Sequence, residues 1–270
     1  MSTLSKSPAE SGSSAGGATP GPRPVRPIIK AKPRGPWPVQ FYSTSVGKKV
    51  VMAVTGLILL GFIVGHMIGN LKMYLGVESD GIYAIDHYGE WLRELGEPAL
   101  PREVGLWLMR AGLSVALALH LHCAWALTRI NHKARPDGYK SPRDYQAADF
   151  ASRTMRWSGI IVLLFLVWHL ADLTLGWVNP GFEHGEVYRN LDASLSQLPV
   201  AALYIVANVA LGVHIRHGAW SLFQSLGRNN PRFATAKVWG ANAFAALIVV
   251  GNVSFPLAVQ FGIVAHPSVS

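Results

Sequence analysis

The stretch VVMAVTGLILLGFIVGHMIGN, residues 50–70, contains no Asp, Glu, Lys or Arg and one histidine, His66. Wound as a helix it is about 30 Å long, the thickness of a bilayer's hydrocarbon core. Four further windows rich in Leu, Val, Ile, Ala and Gly follow at about 104–128, 157–178, 198–221 and 238–263. The expected fold is therefore an all-α integral membrane protein, a bundle of five transmembrane helices. Half of the 270 residues are hydrophobic and only 14% are charged, well below the roughly 25% of a soluble domain. A soluble helical protein is thus disfavoured. The net charge of +9 does not indicate a nucleic-acid binder, because the basic residues sit beside the apolar spans rather than along one polar, aromatic-bearing face.

Charge placement sets the expected topology. Eight Lys and Arg precede the first span, ending in Lys48 and Lys49; seven lie from Arg129 to Arg156; Arg228, Arg232 and Lys237 separate the fourth and fifth spans. The other two loops are acidic, with Glu78, Asp80, Asp86, Glu90, Glu94, Glu97 and Glu103 in the first and Glu183, Glu186 and Asp192 in the second. The positive-inside rule places the N-terminus in the cytoplasm and the C-terminus outside. Residues 1–42, rich in Pro, Gly and Ser, read as a disordered cytoplasmic tail, and 43–265 as the transmembrane domain. No cleaved signal peptide is expected, since the first apolar run begins near residue 50 and is long enough to span. Cys123 is the only cysteine, so this chain alone builds no disulfide, structural zinc site or iron–sulfur cluster.

Ionisable groups inside a bilayer are costly and mark function by default, and here the candidates are histidines. His66 lies in the first span, His120 and His122 in the second, His169 in the third, His214 and His217 in the fourth. Counted from the basic residues at the inner ends, His66 and His169 stand at about 25 and 20 Å, His120 and His214 at about 14 and 16 Å. Two level pairs result, about 8 Å apart in depth, a frame for two stacked bis-histidine haems. Residues two apart point to nearly opposite sides of a helix. The face of His120 carries Gly112, Ala116, Cys123 and Ala124, small enough for a flat macrocycle to approach, whereas that of His122 carries Val115, Trp125 and Arg129. His214 and His217 share a face with Ala207, Ala210, Gly218 and Ser221, and depth favours His214. His87, His132, His184 and His266 fall in loops or the tail, and Trp37, Tyr42, Tyr74, Trp157 and Trp177 read as interfacial anchors.

From about Ser43 onward the chain resembles the dihaem cytochrome b membrane anchor of bacterial succinate:menaquinone oxidoreductases and the related quinol:fumarate reductases. The likeness rests on Ser43-Thr44-Ser45 with Gly47-Lys48-Lys49, Thr55-Gly56, and His66 followed by Gly69-Asn70. It continues through His120, Asn131 and Ala134-Arg135-Pro136, then Arg156-Trp157-Ser158-Gly159 leading to His169-Leu170. Its most specific piece is His214-Ile215-Arg216-His217-Gly218 running through Trp220-Ser221 to Gln224-Ser225-Leu226-Gly227, where the pattern's ligand is the histidine four before the glycine, His214.

The resemblance implies a subunit of succinate dehydrogenase in the bacterial cytoplasmic membrane, relaying electrons through two haem b groups to quinone, menaquinone in this class. His66 and His169 would ligate the outer haem iron, His120 and His214 the inner. It implies a flavoprotein that carries the succinate site and an iron–sulfur partner, both on the cytoplasmic face, with no catalytic residue on this chain. Arg216, His217 and the basic loop between the second and third spans are candidate propionate partners or else topology signals, and the quinone region is either the outer loop with Tyr83, His87, Glu90 and Trp91 or the inner surface near the iron–sulfur partner. One departure stands out: some dihaem fumarate reductases carry a glutamate just before the fourth ligand, whereas Gly212 and Val213 stand here. The rival readings are the cytochrome b subunit of a formate dehydrogenase or hydrogenase and a haem-free transporter or assembly anchor.

Overall fold

The structure is a computed structural model that describes residues 35–134, 148–225 and 231–264. Among them lie eight α-helices: α1 (Trp37–Ser43), α2 (Ser45–Asn70), α3 (Ala84–Arg93), α4 (Val104–Ala134), α5 (Ala148–Leu173), α6 (Val187–Leu195), α7 (Leu198–Ser225) and α8 (Ala234–Gln260). A 3-10 turn, Leu71–Leu75, extends α2, and among the described residues there is no strand, only an isolated bridge between Val77 and Tyr83. Five helices, α2, α4, α5, α7 and α8, are long and apolar enough to cross a membrane, as the five windows led one to expect.

Local chemistry sets the helix ends. Thr44 caps α2, its Oγ1 accepting the Gly47 N–H at 2.9 Å. A Cβ on Gly47 would stand 1.8 Å from the Phe41 carbonyl oxygen, so only glycine lets α1 fold back against α2. Helix α5 stops at Leu173, five residues short of the expected window, because the Leu175 N–H turns back to the Leu170 carbonyl at 2.9 Å and Gly176 takes a φ of 68°. The described end of the expected tail is not structureless: Trp37–Ser43 is helical, and the tail's first 34 residues lie outside the described residues.

Helix α2 packs along α4, α5 along α7, and α7 along α8; between the α2–α4 pair and the other three contact is slighter, chiefly α2 on α7 and α8. The acidic loops hold two short helices that the hydropathy windows missed, α3 and α6, each strongly amphipathic with balanced polar and apolar content. They dock on one another at the end of the bundle opposite α1: the Tyr188 N–H donates to Asp86 Oδ1 at 2.9 Å, and Tyr83 stacks on Tyr188 with ring centroids 3.6 Å apart. There Ile85 of α3 and Leu195 of α6 join Met73, Phe255 and Val259 in one buried apolar cluster. Elsewhere large apolar side chains such as Leu57, Leu108, Leu164, Val206 and Val250 face outward, where a lipid solvent satisfies them.

Candidate functional site

The histidines fall into two layers. At the level nearer α3 and α6, His66 of α2 meets His169 of α5 edge-on, ring centroids 5.9 Å apart and planes at 85°; Phe62 stacks on His66 at 5.4 Å. Two imidazoles sharing one metal at bonds of about 2 Å hold their ligating nitrogens about 4 Å apart, with the ring centres a little further, so this spacing fits a metal between the two rings. At the other level, His120 of α4 and His214 of α7 lie within electrostatic reach of each other.

The second level is built twice from the same parts. His120 Nδ1 lies 3.1 Å from the Met52 carbonyl and 3.4 Å from Thr55 Oγ1, and a Cβ on Gly56 would stand 3.2 Å from its Cε1. His214 repeats this on α5: its partners are the Met155 backbone and Ser158 Oγ at 3.4 Å, and a Cβ on Gly159 would stand 3.3 Å from its Cε1. A peptide carbonyl only accepts, so Nδ1 of His120 carries the hydrogen and Nε2 keeps its lone pair. Ten residues beyond Gly56 stands His66, and ten beyond Gly159 stands His169. This spacing sets the layers about 15 Å apart along the helices, not the 8 Å read from the sequence. The difference arises because α2 and α5 begin at Ser45 and Ala148, before the basic residues from which depth was counted.

The remaining candidates are placed elsewhere. His122 lies on the exposed face of α4, its Nδ1 2.5 Å from Tyr42 Oη and its ring stacked on Tyr42. His217 is buried with Nε2 at 3.0 Å from Thr154 Oγ1. Arg216 does not accompany it: it is exposed and donates from Nε to Asn242 of α8. A Cβ on Gly212 would stand 2.2 Å from Val249 Cγ2, so α8 closes off the space beside Gly212. The basic loop between α4 and α5 and residue His266 lie largely outside the described residues. Among those described, no group of three or more His, Cys, Asp or Glu gathers as for a metal ion.

At the α3 end an open cavity of about 390 Å³ is lined by Lys72, Glu78, Ala84, His87, Tyr88 and Trp91, so two of the four residues named from the sequence, His87 and Trp91, reach it. Tyr88 also packs on Gly69, three residues past His66. Around the cavity, Arg102 and Arg93 hold the Glu90 carboxyl below the usual range. Burial against α6 pushes the Asp86 carboxyl up despite the Tyr188 N–H.

Residues 143–250 match the family model of the succinate dehydrogenase/fumarate reductase transmembrane subunit. Over that segment, well under half of the chain, the sequence is similar to this family. The five long apolar helices make the chain a multi-pass membrane protein. The matched segment holds His169 and His214, while His66 and His120 lie before it. No curated protein and no solved structure matches the chain.

Sequence reasoning passed over Asp172, which lies 2% exposed in the third span. A carboxylate within a membrane window is itself a signal. It also passed over the recurrence of Met, then Ser or Thr three on, glycine four on and histidine fourteen on, visible at Met52 and Met155.

Proposed function

We propose that this chain is the cytochrome b anchor of a bacterial succinate dehydrogenase and holds two haem b groups, one between His66 and His169 and one between His120 and His214. Bound haems would supply one-electron transfer between a cytoplasmic iron–sulfur subunit and quinone. The observation that carries the reading is the doubled cradle. Met52, Thr55 and Gly56 do for His120 what Met155, Ser158 and Gly159 do for His214, and each cradle is followed at one spacing by the histidine of the other layer. The match to the family reaches α5 and α7, and the same arrangement of side chains supports extending it to α2 and α4.

The chain's own tasks are to present Nε2 of each histidine, fix the ring planes and keep water out. The glycines permit close approach; the carbonyl and hydroxyl partners fix the tautomer. The flavoprotein and iron–sulfur partners would dock at the α1 end, the end that the distribution of Lys and Arg along the sequence assigns to the cytoplasm, leaving the α3 end outside. There the cavity beside Lys72, His87, Tyr88 and Trp91 suits a quinone headgroup, whose carbonyls accept hydrogen bonds and whose ring stacks on an aromatic face. Menaquinone is the quinone assigned on the family resemblance.

Pyridine haemochrome analysis of the assembled complex tests the reading. Two haem b per chain are expected, and one or none refutes the dihaem assignment.

A further inference from the structure

Asp172 of α5 lies three residues after His169, in a span, and is 2% exposed. A carboxylate there is costly unless its lone pairs are satisfied. Two hydroxyls from two other helices converge on its Oδ2: Ser194 Oγ of α6 at 2.6 Å and Tyr204 Oη of α7 at 2.7 Å. Among the described residues no Lys or Arg forms an ion pair with it. Because Tyr204 spends its single hydrogen on Asp172, its oxygen can only accept from His169, whose Nδ1 stands 3.3 Å away. The direction of the chain is therefore fixed: His169 N–H to Tyr204 O–H to Asp172 carboxylate.

The other histidines lack this arrangement. His120 and His214 lean on peptide groups and on the neutral hydroxyls of Thr55 and Ser158. His66 is stacked on Phe62. The position of α2 that corresponds to Asp172, three residues after His66, is Gly69, which is packed against Tyr88. The doubled pattern of the bundle is thus broken at one point, and that point introduces a negative charge coupled to one histidine of one layer.

We propose that Asp172, acting through Tyr204, is a positioning residue for His169: it locks the imidazole with Nε2 free and lends it anionic character, so that the iron held by His66 and His169 is biased toward its ferric state. The inference rests on the dihaem reading. An imidazole whose N–H faces an anion-coupled acceptor is a stronger donor, and stronger donation favours the more highly charged iron. If Asp172 merely tied α6 to the bundle, replacing its charge in Asp172→Asn, with Tyr204 still against His169, would leave the iron unaffected.

Redox titration of the assembled complex in membranes, followed at the haem α-band, separates the two components, and the His120→Ala variant identifies which belongs to His66 and His169. Tyr204→Phe keeps the bond from Ser194 to Asp172 and is expected to raise the midpoint of that component alone by about 59 mV, a tenfold change for a one-electron couple. Asp172→Asn should raise it likewise, and the double variant should add little to either single one. If Asp172→Asn fails to assemble, Tyr204→Phe decides. With two haems present, an unmoved midpoint in Tyr204→Phe, or equal movement of both components, overturns the relay. Fewer than two haems in the unmodified complex would instead overturn the dihaem reading on which it stands.

Discussion

Replacing Gly56 or Gly159 by alanine tests the doubled cradle by adding one methyl group. The new Cβ would stand 3.2 Å from His120 Cε1 or 3.3 Å from His214 Cε1, where carbon atoms prefer about 3.5–4.0 Å. Each ring must then retreat by about 0.2–0.8 Å, while metal–ligand distances tolerate about ±0.2 Å. The retreat also lengthens the 3.1 Å bond that fixes the His120 tautomer. The helix itself gains, since alanine is favoured over glycine by about 1 kcal/mol in a helix interior, so the bundle stays folded and the effect is confined to the ligand. At least a tenfold weaker hold on the haem between His120 and His214 is expected, about 1.4 kcal/mol, with the other haem retained. Gly240→Ala, at an exposed position of α8 with nothing within 4 Å of its would-be Cβ, is the control. Haem content of the purified complex after incubation with a haem scavenger, with a redox titration to tell the components apart, reads the result. Full retention in both variants, or loss in only one, would refute the equivalence of the two cradles.

Two further outcomes follow from the geometry. His122→Ala should keep both haems, since that ring sits on the exposed face against Tyr42, whereas His120→Ala should lose one; loss of a haem in His122→Ala alone would place the ligand on the wrong side of α4. The Glu90 carboxyl, held below its usual range by Arg102 and Arg93, stabilises the α3 end above the ordinary glutamate range and ceases to do so as pH falls through its lower folded value. Amide exchange in α3 and over 94–103, corrected for intrinsic rate, should therefore rise on acidification and lose that step in Glu90→Gln. Protection that does not change with pH would show that these exposed ion pairs contribute nothing.

Apolar length made the five spans legible, because a bilayer demands about twenty residues without charge and little else in a sequence meets that demand. Of the small residues read onto the His120 face, Ala116 and Cys123 are buried and Gly112 is exposed, while Val115 and Trp125 on the other face are exposed. What stayed hidden were features of short range or of packing. Helices α3 and α6 run ten and nine residues with charged faces, so no hydropathy window registers them. Depth was misjudged because helices do not start at the first lysine or arginine. Arg216 looked available to a propionate until Asn242 on α8 supplied a partner from a helix whose register no sequence pattern reveals. Asp172 is the instructive omission: it stands in plain view in the third window, yet its meaning depends on hydroxyls twenty-two and thirty-two residues away.

The distribution of the four histidines bears on how such a subunit is made. Helices α2 and α4, the first spans to leave the ribosome, carry one histidine of each layer, and α5 and α7 carry the other two. Neither hairpin owns a complete pair at either level. On the dihaem reading, the early hairpin would offer a porphyrin at most one axial bond at each level during biosynthesis, and firm capture would wait until the fourth span had been inserted and the hairpins had closed on each other. Since helix contacts between the two groups are slight, the cofactors would serve as the rivets of the bundle, and a chain starved of haem should be recognised by membrane proteases as two loosely associated hairpins.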